Sequence, residues 1–201
     1  VNLLRMDCNS QGALDCGVLP DRLPGHVDIA DQASRRKIEQ VWNARIPDKP
    51  GLDFNSMLKA AHQGKIKAMY IVGADPVSEY PDIDYVKEAL GKVDFLVVQD
   101  IFLTETAKLA HVVLSGASFA EKEGTYTNVE RRVQRLTRAF DPLGNSKADW
   151  HIVCMLAQVM GHDFDYASPA EIFKELTTVS PIHERMSWAY LGETRKRWQT
   201  V

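Results

Sequence analysis

Four residues have the types and placement to hold a ligand: Asp75, Gln99, Asp100 and Asp149. Asp75 and the Gln99-Asp100 pair each follow a short apolar run, and Asp149 precedes a helical pattern. A carboxylate fixed at such a position accepts two N–H groups from a guanine edge, or bonds ribose hydroxyls. Asp is also a default residue of helix caps and turns, so the same positions carry a purely structural reading. A second set is the basic run Arg131, Arg132, Arg135 and Arg138. In a polar hairpin it suits a diphosphate or an acidic neighbour. As a solvated face it pairs with Glu121, Glu123 and Glu130.

Other chemistries lack their residues. The chain contains no G-x-G-x-x-G, no phosphate-binding P-loop and no G-x-S-x-G. Its histidines (26, 62, 111, 151, 162 and 183) form no H-x-x-x-H pair. Cys8, Cys16 and Cys154 contain no C-x-x-C, so this chain alone supplies no four-thiolate zinc or iron–sulfur site. No metal ligand is assigned. An odd cysteine count without framework spacing indicates a reducing compartment.

The elements that must position these residues can be read from periodicity. Residues 1–52 are rich in Gly and Pro, with one helix expected over 33–43. Asn55 or Ser56 then caps a helix to His62. Apolar runs at 66–72, 93–98 and 111–114 read as buried strands. Helices from Asp82 or Asp84 to Leu90 and from Thr104 to Ala110 alternate with them. Strand–helix–strand–helix–strand with continuous apolar strands predicts an α/β fold, a Rossmann-like parallel sheet with helices on both faces. Ligands of such sheets sit at the carboxyl ends of the strands, which is where Gly73, Asp75, Gln99 and Asp100 fall. Short strands at 125–128 and 132–136 form a polar pair. A helix capped near Asp149 covers 150–160, and Ser168-Pro169-Ala170-Glu171 reads as a capping box opening a helix to about Thr178. The expected organisation is a loop-rich segment over 1–52, the Rossmann-like domain over 53–160, and C-terminal helices with a linker over 161–201.

Composition bounds the function. Among 201 residues, 45% are apolar and the formal net charge is −3, the balance of a folded globular protein rather than a disordered one. The charge disfavours general nucleic-acid binding. No apolar run approaches the roughly 20 residues of a membrane-spanning helix, so no direct membrane insertion is expected. The start at Val1, inside an apolar stretch, reads as an excision from a longer chain.

Longer motifs then carry a resemblance. Asn9-Ser10-Gln11-Gly12-Ala13-Leu14-Asp15-Cys16-Gly17-Val18-Leu19-Pro20, followed by Pro24-Gly25, resembles the N-x-Q-G-A-x-D-x-G-x-L-P…P-G segment of molybdopterin oxidoreductases. Residues 97–107 resemble that family's V-V-Q-D-I-F-x-T-x-T-A block. Residues 117–134 resemble its A-S-F-x-E-K-x-G-T-x-T-N-x-E-R-R-V-Q block, and Asp149-Trp150 matches the D-W that follows. The branch resembled includes formate dehydrogenase alpha subunits and the G-type large subunit of NADH-quinone oxidoreductase.

The resemblance implies a cofactor, molybdopterin guanine dinucleotide carrying molybdenum or tungsten. One of its guanine arms would be gripped at the positions matching Gly73, Asp75, Gln99, Asp100 and Asp149. It places iron–sulfur clusters in the parent subunit, outside this stretch. It implies an oxidoreductase active only as part of that parent, the present chain alone being inactive. The partners implied are the rest of the parent subunit and other redox subunits. The location implied is the cytoplasm, at the cytoplasmic face of the membrane within a complex. Arg5 matches the dehydrogenases' formate-holding Arg, and a guanidinium fork suits a carboxylate. Arg5-Met6-Asp7-Cys8-Asn9 departs from the usual R-G-Q-N-N, however, and Asp7 places negative charge where formate would bind. Gly73-Ala74-Asp75-Pro76 also lacks the Glu of the common G-E-N-P form. These departures favour the G-type subunit, a scaffold beside the iron–sulfur wire in which the cofactor is often lost. The alternatives are a formate dehydrogenase alpha subunit oxidising formate to CO2 and an independent nucleotide-binding module.

Overall fold

A computed structural model of the chain describes residues 7–193 and 196–197. In chain order its elements are α1 (Ser10–Asp15), β1 (Arg22–Leu23), β2 (Val27–Asp28), α2 (Gln32–Trp42), α3 (Phe54–His62), β3 (Ala68–Val72), α4 (Pro76–Glu79), α5 (Ile83–Gly91), β4 (Phe95–Asp100), β5 (Val112–Ser115), β6 (Gly124–Thr127), β7 (Arg132–Leu136), α6 (Asp149–Val159), α7 (Pro169–Val179), α8 (Trp188–Glu193) and β8 (Lys196–Arg197). Two short 3₁₀ turns, Ala107–Leu109 and Phe119–Glu121, complete them. The fold is α/β, and the chain separates into two compact units. One combines residues 1–51, 123–137 and 165–201; the other combines 52–122 and 138–164.

The second unit holds the parallel sheet, in the order β3-β4-β5. Asp53 caps α3 by accepting from the Ser56 N–H at 2.7 Å, and Asp82 caps α5 through Tyr85 at 3.0 Å. The α3 cap therefore lies two or three residues before the expected Asn55 or Ser56, because the extended backbone of Asp53 presents the acceptor. Met69, Ile71, Leu96 and Val98 pack against Leu58, Ala61, Val86, Ala89 and Leu90 of α3 and α5, the core of this unit. On the opposite face Tyr70, Val72 and Phe95 stay 41%, 46% and 48% exposed. Helical cover is thus more complete on one face than on the other.

Two boundaries shift for identifiable reasons. Strand β4 runs on through Gln99 and Asp100, since Asp100 pairs with Ser115 and its carbonyl accepts the Gly116 N–H at 3.0 Å. The helix expected over 104–110 contracts to the turn Ala107–Leu109. The Thr106 N–H and hydroxyl are both committed to Asp75, and Thr104 Oγ1 accepts from the Ala107 N–H.

The first unit contains the antiparallel pairs β6–β7 and β7–β8, and the short pair β1–β2. Its core draws Leu23, Ile29, Ile38 and Ile46 together with Val179, and Val133 with Phe173, Met186 and Leu191. Asp15 is fully buried, accepting from Gln11 Nε2 at 2.7 Å and pairing with His26 Nε2 at 2.8 Å. The expected capping box at Ser168 is not formed; Glu171 instead accepts from the Ala167 N–H at 2.8 Å. A complete box forms at Ser118 and Glu121.

Candidate functional site

The candidate residues gather at the carboxyl end of the parallel sheet, within the second unit. Strand alternation divides them. Val72 pairs with Gln99 and Asp100 with Ser115, so Gln99 shares the face of Tyr70 while Asp100 points to the other side. Gly73, in the left-handed region at φ +60°, follows β3 and donates its N–H to the Gln99 carbonyl at 2.8 Å.

On the Tyr70 face a polar chain is built around Gln99, which is fully buried. The Tyr70 hydroxyl donates to Gln99 Oε1. Gln99 Nε2 donates to Asp149 Oδ1 at 2.7 Å, and Lys122 Nζ bonds Asp149 Oδ2. Burial, with the nearby Asp149 charge, pushes the Tyr70 phenol above its ordinary range. Asp149 is the first residue of α6 rather than its cap, because both oxygens are turned to Gln99 and Lys122. Gly116 lies against this chain: a Cβ there would come within 3.0 Å of Asp149 Oδ1. A groove of about 270 Å³ between β5 and α6, lined in part by Leu114, Ile152 and Leu156, flanks it.

Asp75 and Asp100 stand apart from that chain. Asp75 Oδ1 accepts from the Thr106 N–H at 2.9 Å and hydroxyl at 2.5 Å. Burial acts to raise its pKa, but the Ser78 and Thr106 hydroxyls and the Thr106 N–H outweigh it and hold the carboxyl below its usual range. Asp75 is thus a brace between the end of β3 and the Thr106 turn. Asp100 Oδ1 accepts from the Phe102 N–H at 3.0 Å, closing an Asx turn. Among the described residues no donor lies on its Oδ2, which leaves that oxygen open as an acceptor.

Arg5 lies outside the described residues. The basic run is dispersed: Arg132 pairs with Glu130 at 2.9 Å, Arg138 with Asp141 at 3.2 Å, and Arg135 stacks 4.8 Å above the Trp188 ring. Cys8 and Cys16 are exposed and Cys154 is buried. Among the described residues no three His, Cys, Asp or Glu side chains converge as a metal-binding group, and no helix is long and apolar enough to cross a membrane. Tyr70, Thr106, Gly116 and Lys122 join the site without a local signal in the sequence. Lys122 stands in the E-K-x-G-T block with no partner nearby in the chain, and Tyr70 reads as one more residue of an apolar strand.

Comparison with known proteins identifies the family. The family model "Molybdopterin oxidoreductase" matches residues 7–159. The chain is 42% identical over 200 residues to the alpha subunit of F420-dependent formate dehydrogenase 1 of Methanococcus maripaludis, covering 98% of this chain and 29% of that protein. It is 41% identical over 184 residues to a G-type subunit of the NADH-quinone oxidoreductase of Rhizobium meliloti, covering 92% and 22%. It therefore spans less than a third of the length of these relatives. Among solved structures, acetylene hydratase from Pelobacter acetylenicus shares the fold, with a TM-score of 0.59 and 21% identity over 84% of this chain and 24% of that one. With a family model covering most of its length, the chain belongs to the molybdopterin oxidoreductase family.

Proposed function

We propose that this chain forms part of the large subunit of a formate dehydrogenase-type oxidoreductase and holds a guanine nucleotide arm of the molybdopterin cofactor. The observation that carries the proposal is the open Oδ2 of Asp100 at the carboxyl end of β4, next in sequence to the fixed Gln99–Asp149 pair. The donor set suits that group. A guanine edge offers two parallel N–H donors, and a carboxylate with one uncommitted oxygen and a spare lone pair on the other accepts both. When bound, the cofactor supplies metal-centred two-electron chemistry. The residues here bind and orient its nucleotide: Asp100 as acceptor for the base, with Gly73 and Gln99 fixing the neighbouring backbone. Asp75 keeps the β3 end in place through Thr106, and Asp149 acts from the opposite face. Arg5 takes the formate carboxylate in the parent protein, on the strength of its motif. Other redox subunits dock on the parent, and the present chain alone does not turn over.

A second reading, an electron-transfer subunit of the G type, is favoured by the Arg5-Met6-Asp7-Cys8-Asn9 departure and by the Rhizobium relative. Elemental mass spectrometry of the full-length parent separates the two. Near-stoichiometric molybdenum or tungsten alongside iron supports the dehydrogenase; iron without either supports the electron-transfer subunit. For the site itself, calorimetric titration of this chain should show GMP or GDP bound more tightly than AMP, with Asp100→Ala removing the difference. Equal affinity for all three counts against a live guanine site.

A further inference from the structure

In the first unit the chain doubles back where α2 ends. Asn43 takes a left-handed φ of +47°, a conformation Asn tolerates at a helix end. The Ala44 N–H returns to the Glu39 carbonyl at 3.2 Å, and the Ile46 N–H donates to Glu39 Oε1 at 2.9 Å. Ile46 is then buried in one cluster with Ile38. This return encloses a groove of about 540 Å³, lined by Arg35, Arg36 and Arg45 together with Glu39, Pro47 and Asp48. Its charge opposes that of the chain. Residues 35–49 hold five cations, Arg35, Arg36, Lys37, Arg45 and Lys49, against Glu39 and Asp48, while the net charge of the whole chain is −3. Two of the lining groups are already committed: Arg35 Nη1 donates to the Ile29 carbonyl at 2.7 Å, and Glu39 accepts from Ile46. Arg36 and Arg45 are exposed and bond no partner among the described residues.

We propose that this groove is the docking surface for an acidic segment of a partner redox subunit, whose Asp or Glu side chains pair with Arg36 and Arg45. The inference rests on the reading that other subunits dock on the parent, and is independent of the nucleotide site. Charge complementarity selects the partner: a guanidinium fork takes a carboxylate bidentately, and two such forks share one groove. A basic patch on an acidic chain also steers an acidic partner to this face and away from the rest of the surface. The lining suits a peptide rather than a nucleotide, since none of its described residues is an aromatic ring on which a base could stack. Arg35 and Glu39 hold the walls through their bonds to backbone, so Arg36 and Arg45 are the groups left for the partner.

The test has two arms. In the first, the full-length parent is purified with its accompanying subunits and treated with a carbodiimide, which joins an amine to a carboxylate it touches. Mass spectrometry of the linked peptides should find Lys37 or Lys49, which lie beside the groove residues in sequence, joined to an Asp or Glu of another subunit. Links only within the parent, or none from these lysines, overturn the proposal. A parent that purifies without any other subunit overturns both this proposal and the reading that subunits dock. In the second arm, the chain is titrated calorimetrically with a hexaglutamate peptide, and thermal unfolding confirms that each variant is folded. Wild type should bind, and Arg36→Glu with Arg45→Glu should weaken binding at least roughly tenfold. Lys65→Glu with Lys87→Glu changes the net charge equally at exposed positions of the second unit, and should weaken it by less than about twofold. Equal losses from the two pairs overturn the groove as the site, as does no binding by wild type. Inorganic tripolyphosphate bound more tightly than hexaglutamate, and lost with Arg36 and Arg45, overturns the acidic-peptide assignment.

Discussion

Gln99 donates its Nε2 to Asp149 Oδ1 at 2.7 Å, joining the end of β4 to the first residue of α6 across fifty residues of chain. Because Gln99 is fully buried and its other amide atom accepts from Tyr70, this one side chain links Tyr70 and Asp149 into a single polar chain. Gln99→Leu keeps much of the volume and removes both bonds. The expected cost is about 1 kcal/mol of stability, since Tyr70 and Asp149 lose a partner but are both partly exposed, and water can replace it in part. Affinity for GMP should fall with it. Chemical denaturation and calorimetry on the same sample measure the two effects.

Gly116→Ala probes the same carboxylate by pressure rather than by deletion. The new methyl group would stand 3.0 Å from Asp149 Oδ1, so that side chain must give by a few tenths of an ångström. Asp149 is partly exposed and can move, so stability should change by less than about 1 kcal/mol. Nucleotide binding, to which Asp149 contributes in the proposed site, should weaken severalfold in titration. An unchanged affinity would mean that the placement of Asp149 does not matter to the ligand.

His183 sets a dependence on pH in the first unit. Its ring is buried, and Nδ1 lies 2.7 Å from Ser180 Oγ. Burial lowers its pKa below that of an ordinary histidine; the Asp15 charge acts to raise it, and His26 lowers it further. The unfolded chain therefore binds the proton more readily than the folded one. This contribution is complete above the ordinary histidine value of about 6.5 and is lost as pH falls below it. Unfolding free energy measured between pH 7.5 and 5.5 should decline, and His183→Gln should flatten the decline.

Glu121 sets a second limit of the same sense, at lower pH. Its carboxylate accepts from the Ser118 N–H at 2.7 Å and from the Leu143 N–H at 2.8 Å. The Ser118 backbone bond foremost, then the Ser118 hydroxyl and the Leu143 N–H, hold its pKa below the usual range. A depressed carboxyl contributes stability above its unfolded value, about 4.3, and loses it as pH falls through the folded value. Glu121→Gln should therefore narrow the stability gap between pH 5 and pH 3 relative to wild type, as read from thermal midpoints.

Gly25→Ala and Gly64→Ala separate crowding from backbone strain. Both glycines have positive φ, +80° and +68°. A Cβ at Gly25 would lie 2.5 Å from Pro181 Cδ, whereas at Gly64 it meets nothing within 4 Å. Gly64→Ala should cost about 1 kcal/mol and Gly25→Ala distinctly more, because the Pro181 ring and backbone cannot step aside. Equal losses in urea denaturation would show that the contact relaxes freely.

Much of this architecture is legible in the sequence. The three apolar runs form β3, β4 and β5 in parallel, and Gln99, Asp100 and Gly73 do fall at their carboxyl ends. What periodicity cannot reveal is the use of each side chain. Asp75 and Asp100 have the same residue type and similar positions, yet one is consumed by Thr106 and the other keeps an oxygen open. That difference depends on a turn thirty-one residues away in the chain. The N-x-Q-G-A-x-D block is legible only as a family signature. Its Gln11 and Asp15 prove to be partners of each other, with His26 on the same carboxylate, a packing role that no local pattern encodes. Lys122 is hidden for the same reason, its partner Asp149 lying twenty-seven residues ahead.

The apolar cluster of Leu23, Ile29, Ile38 and Ile46 is closed by Val179, far later in the chain. A ribosome adding about 5–20 residues per second needs roughly 7–27 s to pass from the first four of these to the last. Throughout that interval the nascent segment that carries the four has an oily surface with no lid, while the parallel sheet, encoded in between, is already free to form. Synthesis order and settling order thus differ, and this segment is among the last parts to settle although it is made before the sheet. Chaperones that shield apolar segments of nascent chains would act there, and a stop codon placed before Val179 should yield a product whose sheet is protected from protease while residues 23–46 are digested.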